Sequence, residues 1–378
     1  MKVKQLSDVS EPQKLLKDLG VDGGGVAILA SKMKHYIIYI SDLHVGGANI
    51  LKQDALSIGA DLAVPRGTVL ATTKSVDCIL IATEKELRIL SKKELAQPFG
   101  LKELAYKLQD ILAIKRESKI DIMGIINAND DSFFDGSRFC GLDAIHKIET
   151  MIDEGADIID IGAVSSRPNA PKVTAEDELS RVKPILDEIL KNNFYNAKRF
   201  SIDSYEPKVI EYALNSGFTI VNDITGFKDD TLSQLCATYD ASAIIMHMQG
   251  TPQTMQNRPE YQDIVTDIYS FLENSISRVE SFGVKDIIVD IGIGFGKTLE
   301  HNIDLIKNLE NFLRLKKRVL VGASRKSMID TITPTKIEDR LAGTLAIHLE
   351  AVRSGASILR VHDVKEHFQA MKVYEALR

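Results

Sequence analysis

The stretch IDIMGIIN, residues 120–127, is the first indication of the fold. It is a short, nearly continuous apolar run that ends on the polar residue Asn127. Runs of this kind are typical of strands that are buried on both faces of a parallel sheet. Seven more follow, each separated from the next by a longer amphipathic segment: DIIDIG (157–162), RFSID (199–203), TIVND (219–223), SAIIMH (242–247), IIVD (287–290), VLVG (319–322) and SILRV (357–361).

Eight strand–helix pairs predict a closed (β/α)8 barrel. The helix-like segments lie at 139–154, 175–192, 207–216, 229–239, 259–282, 300–312, 337–354 and 363–376. The region from residue 116 to 378 has the length of such a barrel, which is usually about 250 residues. An open, doubly wound α/β sheet is the alternative, but it normally needs fewer strands.

The first 115 residues predict a separate, small α/β domain. We expect strands at VAILA (26–30), YIIYI (36–40), TVLATT (68–73) and CILIAT (78–83), followed by a helix over 92–116. The predicted domains are therefore 1–115 and 116–378. Nothing in the sequence of the first domain indicates its role.

Composition and charge exclude several classes of protein. A chain with 44% hydrophobic and 26% charged residues is not a disordered protein. The barrel region carries 40 acidic against 31 basic residues, which makes it a poor nucleic-acid binder. No apolar run reaches the roughly 20 residues needed to span a bilayer, and the start has no apolar core of a secretory signal. Because the three cysteines are scattered, we expect a reduced, cytoplasmic protein. From the charge and the length of the apolar runs, we expect neither a membrane nor a nucleic acid as partner.

Two motifs suggest functions that the surrounding residues do not support. ISDLHVGG (40–47) resembles the first block of metallophosphoesterases, but a two-metal centre needs several more ligands, so a turn at a strand end is the better interpretation. GIGFGKT (292–298) resembles a phosphate-binding loop. A P-loop would require glycine at Ile291, and a dinucleotide-binding loop would require it at Lys297.

Polar side chains cluster at the carboxyl ends of the predicted strands. In a (β/α)8 barrel these ends meet at one mouth, where active sites lie. Each residue alone has a structural explanation, such as a helix cap or a turn, but the whole set favours a ligand site. The residues are Asn127, Arg167, Asp203, Asn222, Asp223, His247, Asp290, Lys326, Arg360 and His362.

The chemistry of this set indicates the ligand. Asp203, Asn222 and Asp290 offer acceptors to a planar N–H edge, such as that of an aminopyrimidinone. Asn127, Arg167, Arg360 and His362 suit an anion, and arginine matches phosphate oxygens bidentately. The sequence therefore predicts a site for a flat, nitrogen-rich ring that is linked to phosphate.

From about residue 118 to the end, the sequence resembles dihydropteroate synthases. The resemblance lies in separate blocks in the family's order: IMGIINANDDSFFDG, GADIIDIGAVSSRPNA, SIDSY, NDITG, MHMQGTPQTMQ, DIGIGFGKTLEHN, GASRKS and GTLAIHLEAVRSGASILRVHDV. The resemblance implies a transferase of folate biosynthesis. In its reaction the amine of p-aminobenzoate displaces pyrophosphate from 6-hydroxymethyl-7,8-dihydropterin pyrophosphate.

The resemblance also implies roles for individual residues. The pterin would contact Asp203, Asn222, Met246, Asp290, Phe295 and Lys326. The pyrophosphate would bind Asn127, Arg360 and His362, with Mg²⁺ on Asn127, and the catalytic group would comprise these three residues and Lys326. The aminobenzoate would lie against Ser327 and a lid that contains Phe133, Asp135, Ser166, Arg167 and Pro168. A homodimer and sensitivity to sulfonamides are further implications.

The sequence departs from the family's usual pattern in both lid loops and behind the pterin aspartate. The unusual residues are Asn129, Asp130, Val164, Ser166 and Ile291, and they leave the effect on lid movement and sulfonamide binding open. Two alternative functions remain. One is a pterin-binding methyltransferase that acts on a corrinoid, which would not need the SRKS, SSRP or RVHD blocks. The other is a non-catalytic pterin-binding homologue, which would be expected to lack the anion ligands.

Overall fold

The computed structural model describes residues 1–4, 6, 11–128, 142–164 and 173–377. The chain divides into two compact units, Met1–Ile114 and Lys115–Arg378. We describe each unit by itself. Among the described helices, none has both the length and the apolar character needed to cross a membrane.

Unit 1, residues 1–114, packs helices around a three-stranded antiparallel sheet with strand order β1-β3-β2. Its core is rich in leucine, including Leu51, Leu80, Leu87, Leu90 and Leu108. The elements are α1 Pro12–Asp18, α2 Gly23–Met33, β1 His35–His44, α3 Val45–Leu56, β2 Asp61–Ala63, β3 Ser75–Thr83, α4 Glu84–Lys93 and α5 Leu101–Leu112.

Two of the four strands predicted in unit 1 are wrong. VAILA (26–30) lies within α2, because Asp22 caps this helix by accepting from the N–H of Gly24 at 3.2 Å. Val26 and Ala30 are four residues apart and share the buried side of the helix, a spacing that a strand would not need. YIIYI and CILIAT do form β1 and β3.

The other incorrect strand, TVLATT (68–73), is a turn. Gly67 has φ +91°, and the hydroxyl of Thr68 donates to the carbonyl of Pro65 at 2.7 Å. The chain therefore bends into a 3₁₀ helix, Thr68–Leu70, and leaves Val69 and Leu70 exposed.

The helix predicted over 92–116 is interrupted. A 3₁₀ turn at Glu94–Ala96 follows α4, and α5 begins only at Leu101. Pro98 has no N–H to donate, and Phe99 and Gly100 have positive φ, so a helix cannot continue through them.

The ISDLHVGG motif ends β1, and its His44 caps α3 by accepting from the N–H of Gly46 at 3.0 Å.

Unit 2, residues 115–378, is a closed barrel of eight parallel strands, which confirms the predicted (β/α)8 fold and excludes the open sheet. The strands are β4 Asp121–Asn127, β5 Ile158–Gly162, β6 Arg199–Asp203, β7 Ile220–Asp223, β8 Ser242–Met246, β9 Ile287–Asp290, β10 Arg318–Val321 and β11 Ile358–Val361. The helices are α6 Leu142–Asp153, α7 Ala175–Lys191, α8 Pro207–Asn215, α9 Asp230–Thr238, α10 Ile264–Ser281, α11 Leu299–Lys307, α12 Ser327–Ile332, α13 Leu341–Arg353 and α14 Val364–Ala376.

The barrel interior is filled in layers. At the amino-terminal end, the carboxylate of Asp121 accepts from Arg318 at 2.8 Å and also pairs with Arg199. Next comes a layer of large apolar side chains: Met123, Ile158, Ile220, Ile244, Ile288, Leu320 and Ile358. Because side chains alternate along a strand, the residues two positions further on face the same interior. They are mostly polar, and they form the floor of the barrel mouth.

Candidate active site

The mouth of the barrel collects side chains from most of the strands. The register places Asp203 beside Asn222 on adjacent strands, and Met246 beside Asp290. Asn127 ends β4 and is half-buried at the same level as Gly162 of β5. The barrel therefore brings predicted pterin-binding residues and Asn127 to one end of the molecule.

Arg360 is held between two carboxylates at the centre of this mouth. Its Nε donates to Oδ2 of Asp160 at 2.6 Å, and its Nη2 donates to Oδ2 of Asp203 at 2.6 Å. Burial alone would lower the pKa of Arg360, but the charges of these carboxylates outweigh it and raise that pKa. Arg360 therefore stays charged at any pH at which the protein is folded.

Asp203 has a different electrostatic state from an ordinary surface carboxylate. Burial raises its pKa to about 7, although the charge of Arg360 opposes this shift. The negative charges of Asp160 and Glu178 add to the increase. Asp203 can therefore gain or lose a proton near neutral pH.

Asp290 lies at the end of β9 with 6% of its surface exposed. Its Oδ1 accepts from the N–H of Gly292 at 2.7 Å, and burial raises its pKa against the opposing charges of Lys326 and Arg360. Asp290 and Arg360 are thus close enough to influence each other's charge. A buried acceptor of this kind is suited to a ligand that brings its own N–H groups.

Lys326 and Phe295 form one wall beside Asp290. The ammonium of Lys326 lies 4.4 Å from the centre of the Phe295 ring and donates to the carbonyl of Ile293. Burial lowers the pKa of Lys326 to about 8, although the charge of Asp290 opposes this change. Met246 packs with Met248 and Met255, and Phe295 lies against this cluster, so the mouth also offers apolar surface to a flat ring.

The glycine loop after β9 acts through its backbone conformation. Gly292 has φ +67°, and a Cβ at this position would lie 1.9 Å from the carbonyl oxygen of His247. The buried Lys297 holds the loop in place, since its Nζ lies 3.1 Å from Nδ1 of His247 and donates to the carbonyl of Phe295 at 2.9 Å. Lys297 and His247 therefore support the loop, rather than face a ligand.

Two further strand-end residues differ in character from the sequence prediction. Asp223 is completely buried, and its carboxylate accepts from the N–H groups of Thr225 and Phe227 at 2.7 Å each, so it stabilises a turn. Burial, with the nearby charge of Arg360, lowers the pKa of His362 to about 3. His362 is therefore neutral and can donate one hydrogen bond, but it brings no positive charge to an anion.

Hydrogen bonds between buried side chains connect the loops that carry Lys326 and His362. Arg325 donates to both carboxylate oxygens of Asp363, at 3.0 and 2.6 Å. Nδ1 of the buried His348 lies 2.9 Å from Nε2 of His367, and its Nε2 accepts from the N–H of Ala323 at 3.0 Å. These contacts fix the two loops relative to each other. Ser327, the first residue of α12, is exposed beside them.

The predicted lid residues Phe133, Asp135, Ser166, Arg167 and Pro168 lie outside the described residues, as do Asn129 and Asp130. One residue of the site was missed in the sequence: Asp160, which is completely buried and contacts Arg360. The available signal was the second aspartate of the run DIIDIG, which interrupts the apolar residues on the same side of the strand as Ile158.

The barrel matches the family model described as pterin binding enzyme over residues 123–362. A dihydropteroate synthase from Haemophilus influenzae is 41% identical over 258 residues, which are 68% of this chain and 93% of the relative. The chain belongs to the dihydropteroate synthase family. Its solved members include the Thermus thermophilus enzyme in complex with 4-aminobenzoate, with 36% identity, a TM-score of 0.62, and coverage of 69% of this chain and 95% of that one.

Another member of the family matches more of the chain. The bifunctional dihydropteroate synthase/dihydropteroate reductase of Helicobacter pylori is 41% identical over 342 residues, and the match covers 90% of each protein. The match exceeds the 264 residues of unit 2 by 78, so it extends well into unit 1.

The glycine loop generates the first prediction. Gly292→Ala introduces a Cβ against a backbone carbonyl that cannot rotate away, so we expect a distorted loop and at least a tenfold loss of pterin affinity. Gly283→Ala is the matched control, because Gly283 also has positive φ (+94°) but a Cβ there meets nothing within 4 Å. Both variants bear the backbone strain of about 1 kcal/mol, which thermal melting reports. Equal pterin affinity in the two variants would contradict the assigned role of the loop.

Proposed function

We propose that the mouth of the barrel binds the two substrates of dihydropteroate synthesis and catalyses their condensation. The reaction joins 6-hydroxymethyl-7,8-dihydropterin pyrophosphate to p-aminobenzoate and releases pyrophosphate. The observation that supports this most is that two buried acceptors for a ring, Asp290 and Asn222, lie at the same end of the barrel as the permanently charged Arg360. A methyltransferase acting on a corrinoid would have no need for that cation beside the ring site.

The pterin ring would lie between Met246 and Phe295. Its amino group and adjacent ring N–H suit the carboxylate of Asp290, which can accept two parallel hydrogen bonds. The amide of Asn222 and the carboxylate of Asp203 would accept from other ring nitrogens, and Lys326 would donate to the ring carbonyl. Burial makes these contacts selective, since a ring without matching N–H groups would leave the carboxylate unsatisfied.

The diphosphate would lie toward Arg360, with Asn127 and the neutral imidazole of His362 as further donors. In the part of the chain that the structure describes, no three His, Cys, Asp or Glu side chains are grouped to hold a metal. Mg²⁺ nevertheless fits this site, because it commonly takes one or two protein oxygens and obtains its other ligands from phosphate and water. The amide oxygen of Asn127 would be the protein ligand, and Mg²⁺ would neutralise part of the diphosphate charge.

Catalysis would then depend on placement and on charge. The bond between the methylene carbon and the bridging oxygen breaks, and the leaving pyrophosphate gains negative charge that the guanidinium of Arg360 stabilises. The electron-rich dihydropterin, held by Asp290, can share the positive charge that develops on the methylene carbon. The amine nitrogen of p-aminobenzoate is already a free nucleophile, so it forms the new C–N bond to this carbon without a covalent residue and gives up one proton to the pyrophosphate or to solvent. Exclusion of water protects the carbon from hydrolysis.

The aminobenzoate would approach from the side of α12. Ser327 at the start of this helix would receive its carboxylate, and the lid residues expected from the sequence would complete this half of the site. The homodimer and the cytoplasmic location expected from the sequence stay predictions.

The central prediction concerns Asp290→Asn. In the presence of Mg²⁺, the wild-type protein should convert the two substrates to dihydropteroate. The variant turns one acceptor into a donor that faces ring N–H groups, so it should weaken pterin pyrophosphate binding by about 2–4 kcal/mol in isothermal titration. Asp286→Asn is the control: it lies before the other end of β9, where its carboxylate accepts from Ser242 at 2.6 Å. A loss below about 1 kcal/mol for Asp290→Asn would place the ring elsewhere.

We propose a second activity for unit 1, reduction of dihydropteroate. The observation that favours it is the extension of the match with the bifunctional Helicobacter pylori protein across 90% of this chain. Such an activity would act on the product of the barrel, so one chain would carry out consecutive steps.

The second activity can be separated from the first by comparing the full chain with a fragment of residues 115–378. We expect the full chain to oxidise an added nicotinamide hydride donor when dihydropteroate is supplied, as followed by absorbance and by mass of the reduced product. The fragment should retain the synthase activity and lose the reductase activity. Equal reduction by both proteins, or none by the full chain, would remove the proposal for unit 1.

A further inference from the structure

Asp160 is a completely buried carboxylate at the mouth of the barrel. It lies in β5, paired in register with Ile125 and Ser201, and none of its surface is exposed. Its Oδ2 accepts from Nε of Arg360 at 2.6 Å and from Nδ2 of Asn222 at 3.3 Å. Its Oδ1 is buried and has no hydrogen-bond partner among the described residues. A carboxylate with one oxygen unsatisfied is a poor stabiliser of a fold, so its contacts with Arg360 and Asn222 are the better explanation of its role.

The contact with Asn222 fixes which way that amide faces. The oxygen and nitrogen of an amide side chain have nearly the same shape, and only the hydrogen-bond partners decide between the two orientations. Because Oδ2 of Asp160 already accepts from Arg360, it faces Asn222 as an acceptor, so it selects the nitrogen of that amide and leaves the oxygen for a ligand N–H. Without this carboxylate, the amide could rotate and present a donor to a donor.

The contact with Arg360 fixes the plane of the guanidinium. Asp160 accepts from Nε and Asp203 accepts from Nη2. The edge of the guanidinium that carries Nη1 can therefore donate to an anion. The two partners are not equivalent. Asp203 is partly accessible and is also a candidate ligand for the ring, whereas Asp160 is completely enclosed and has only protein partners available.

We propose that Asp160 is a positioning residue that couples the two halves of the substrate site. A single oxygen orients the acceptor for the ring and the cation for the diphosphate, so both halves take their geometry from the same atom. This inference rests on the proposed function, in which Asn222 and Arg360 contact the two parts of one substrate.

The test is Asp160→Asn in the full-length protein. An asparagine keeps the shape but removes the charge, so its hydrogen bonds to Nε of Arg360 and Nδ2 of Asn222 are weaker. Its amide can also turn its NH₂ group toward these two donors, so neither is held in one orientation. We expect the affinity for 6-hydroxymethyl-dihydropterin, which has no phosphate, to fall about tenfold. The kcat for dihydropteroate at saturating substrates should fall at least 100-fold, because Arg360 is misaligned when the pyrophosphate leaves. Asp157→Asn is the matched control and should alter neither value, because this half-buried carboxylate lies just before the same strand, where it pairs with Lys119 at 2.8 Å and accepts from the N–H of Ile122 at 3.0 Å.

Measurements well below the Tm separate positioning from a structural role. Because the substitution removes one of the two carboxylate charges that pair with Arg360, the Tm should fall, so kcat and affinity are compared at a temperature at which both proteins are folded. Unchanged kcat and unchanged pterin affinity at that temperature would overturn the proposal. If the wild-type protein forms no dihydropteroate, the proposed function fails. Pterin affinity in Asp160→Asn then still decides the role of Asp160 toward Asn222.

Discussion

The pairing of Arg360 with two carboxylates inside the barrel is the interaction on which the site depends. A guanidinium in this position is charged at every relevant pH, and burial makes its field strong because little water screens it. The same burial would make an unpaired arginine costly, which accounts for the presence of Asp160 and Asp203 at 2.6 Å. The site therefore contains a fixed cation whose direction is set before any ligand arrives.

Two groups beside Arg360, Asp203 and Lys326, have pKa values near neutral pH. Burial raises the pKa of Asp203 to about 7 and lowers that of Lys326 to about 8, so both can respond to a ligand near neutral pH. Arg360 does not respond, and neutral His362 adds a donor without charge. A site that combines titratable groups with a permanent cation suits a reaction in which one end of the substrate is a neutral ring and the other end leaves as a polyanion. The rigid barrel supplies the placement that a reaction without a covalent intermediate requires.

The sequence revealed the barrel well because its signal is repeated eight times, and each apolar run is bounded by a longer amphipathic segment. The strand-end residues followed from the same pattern, since parallel strands bring their carboxyl ends together. Unit 1 was predicted less well: the apolar stretch 26–30 is too short for its period to separate a helix from a strand, and only the Asp22 cap decides. Asp160 was missed because its importance lies in contacts with residues 62 and 200 positions away, which no local pattern reports.

A crystal structure of the protein with pterin pyrophosphate and Mg²⁺ would show where the two halves of the substrate lie. In the proposed placement, the amino group and ring N–H of the pterin lie about 3 Å from the carboxylate of Asp290, while the diphosphate oxygens lie within hydrogen-bonding distance of Arg360. Electron density for the ring outside the barrel mouth, or for the diphosphate on the far side of Asp290 from Arg360, would contradict it.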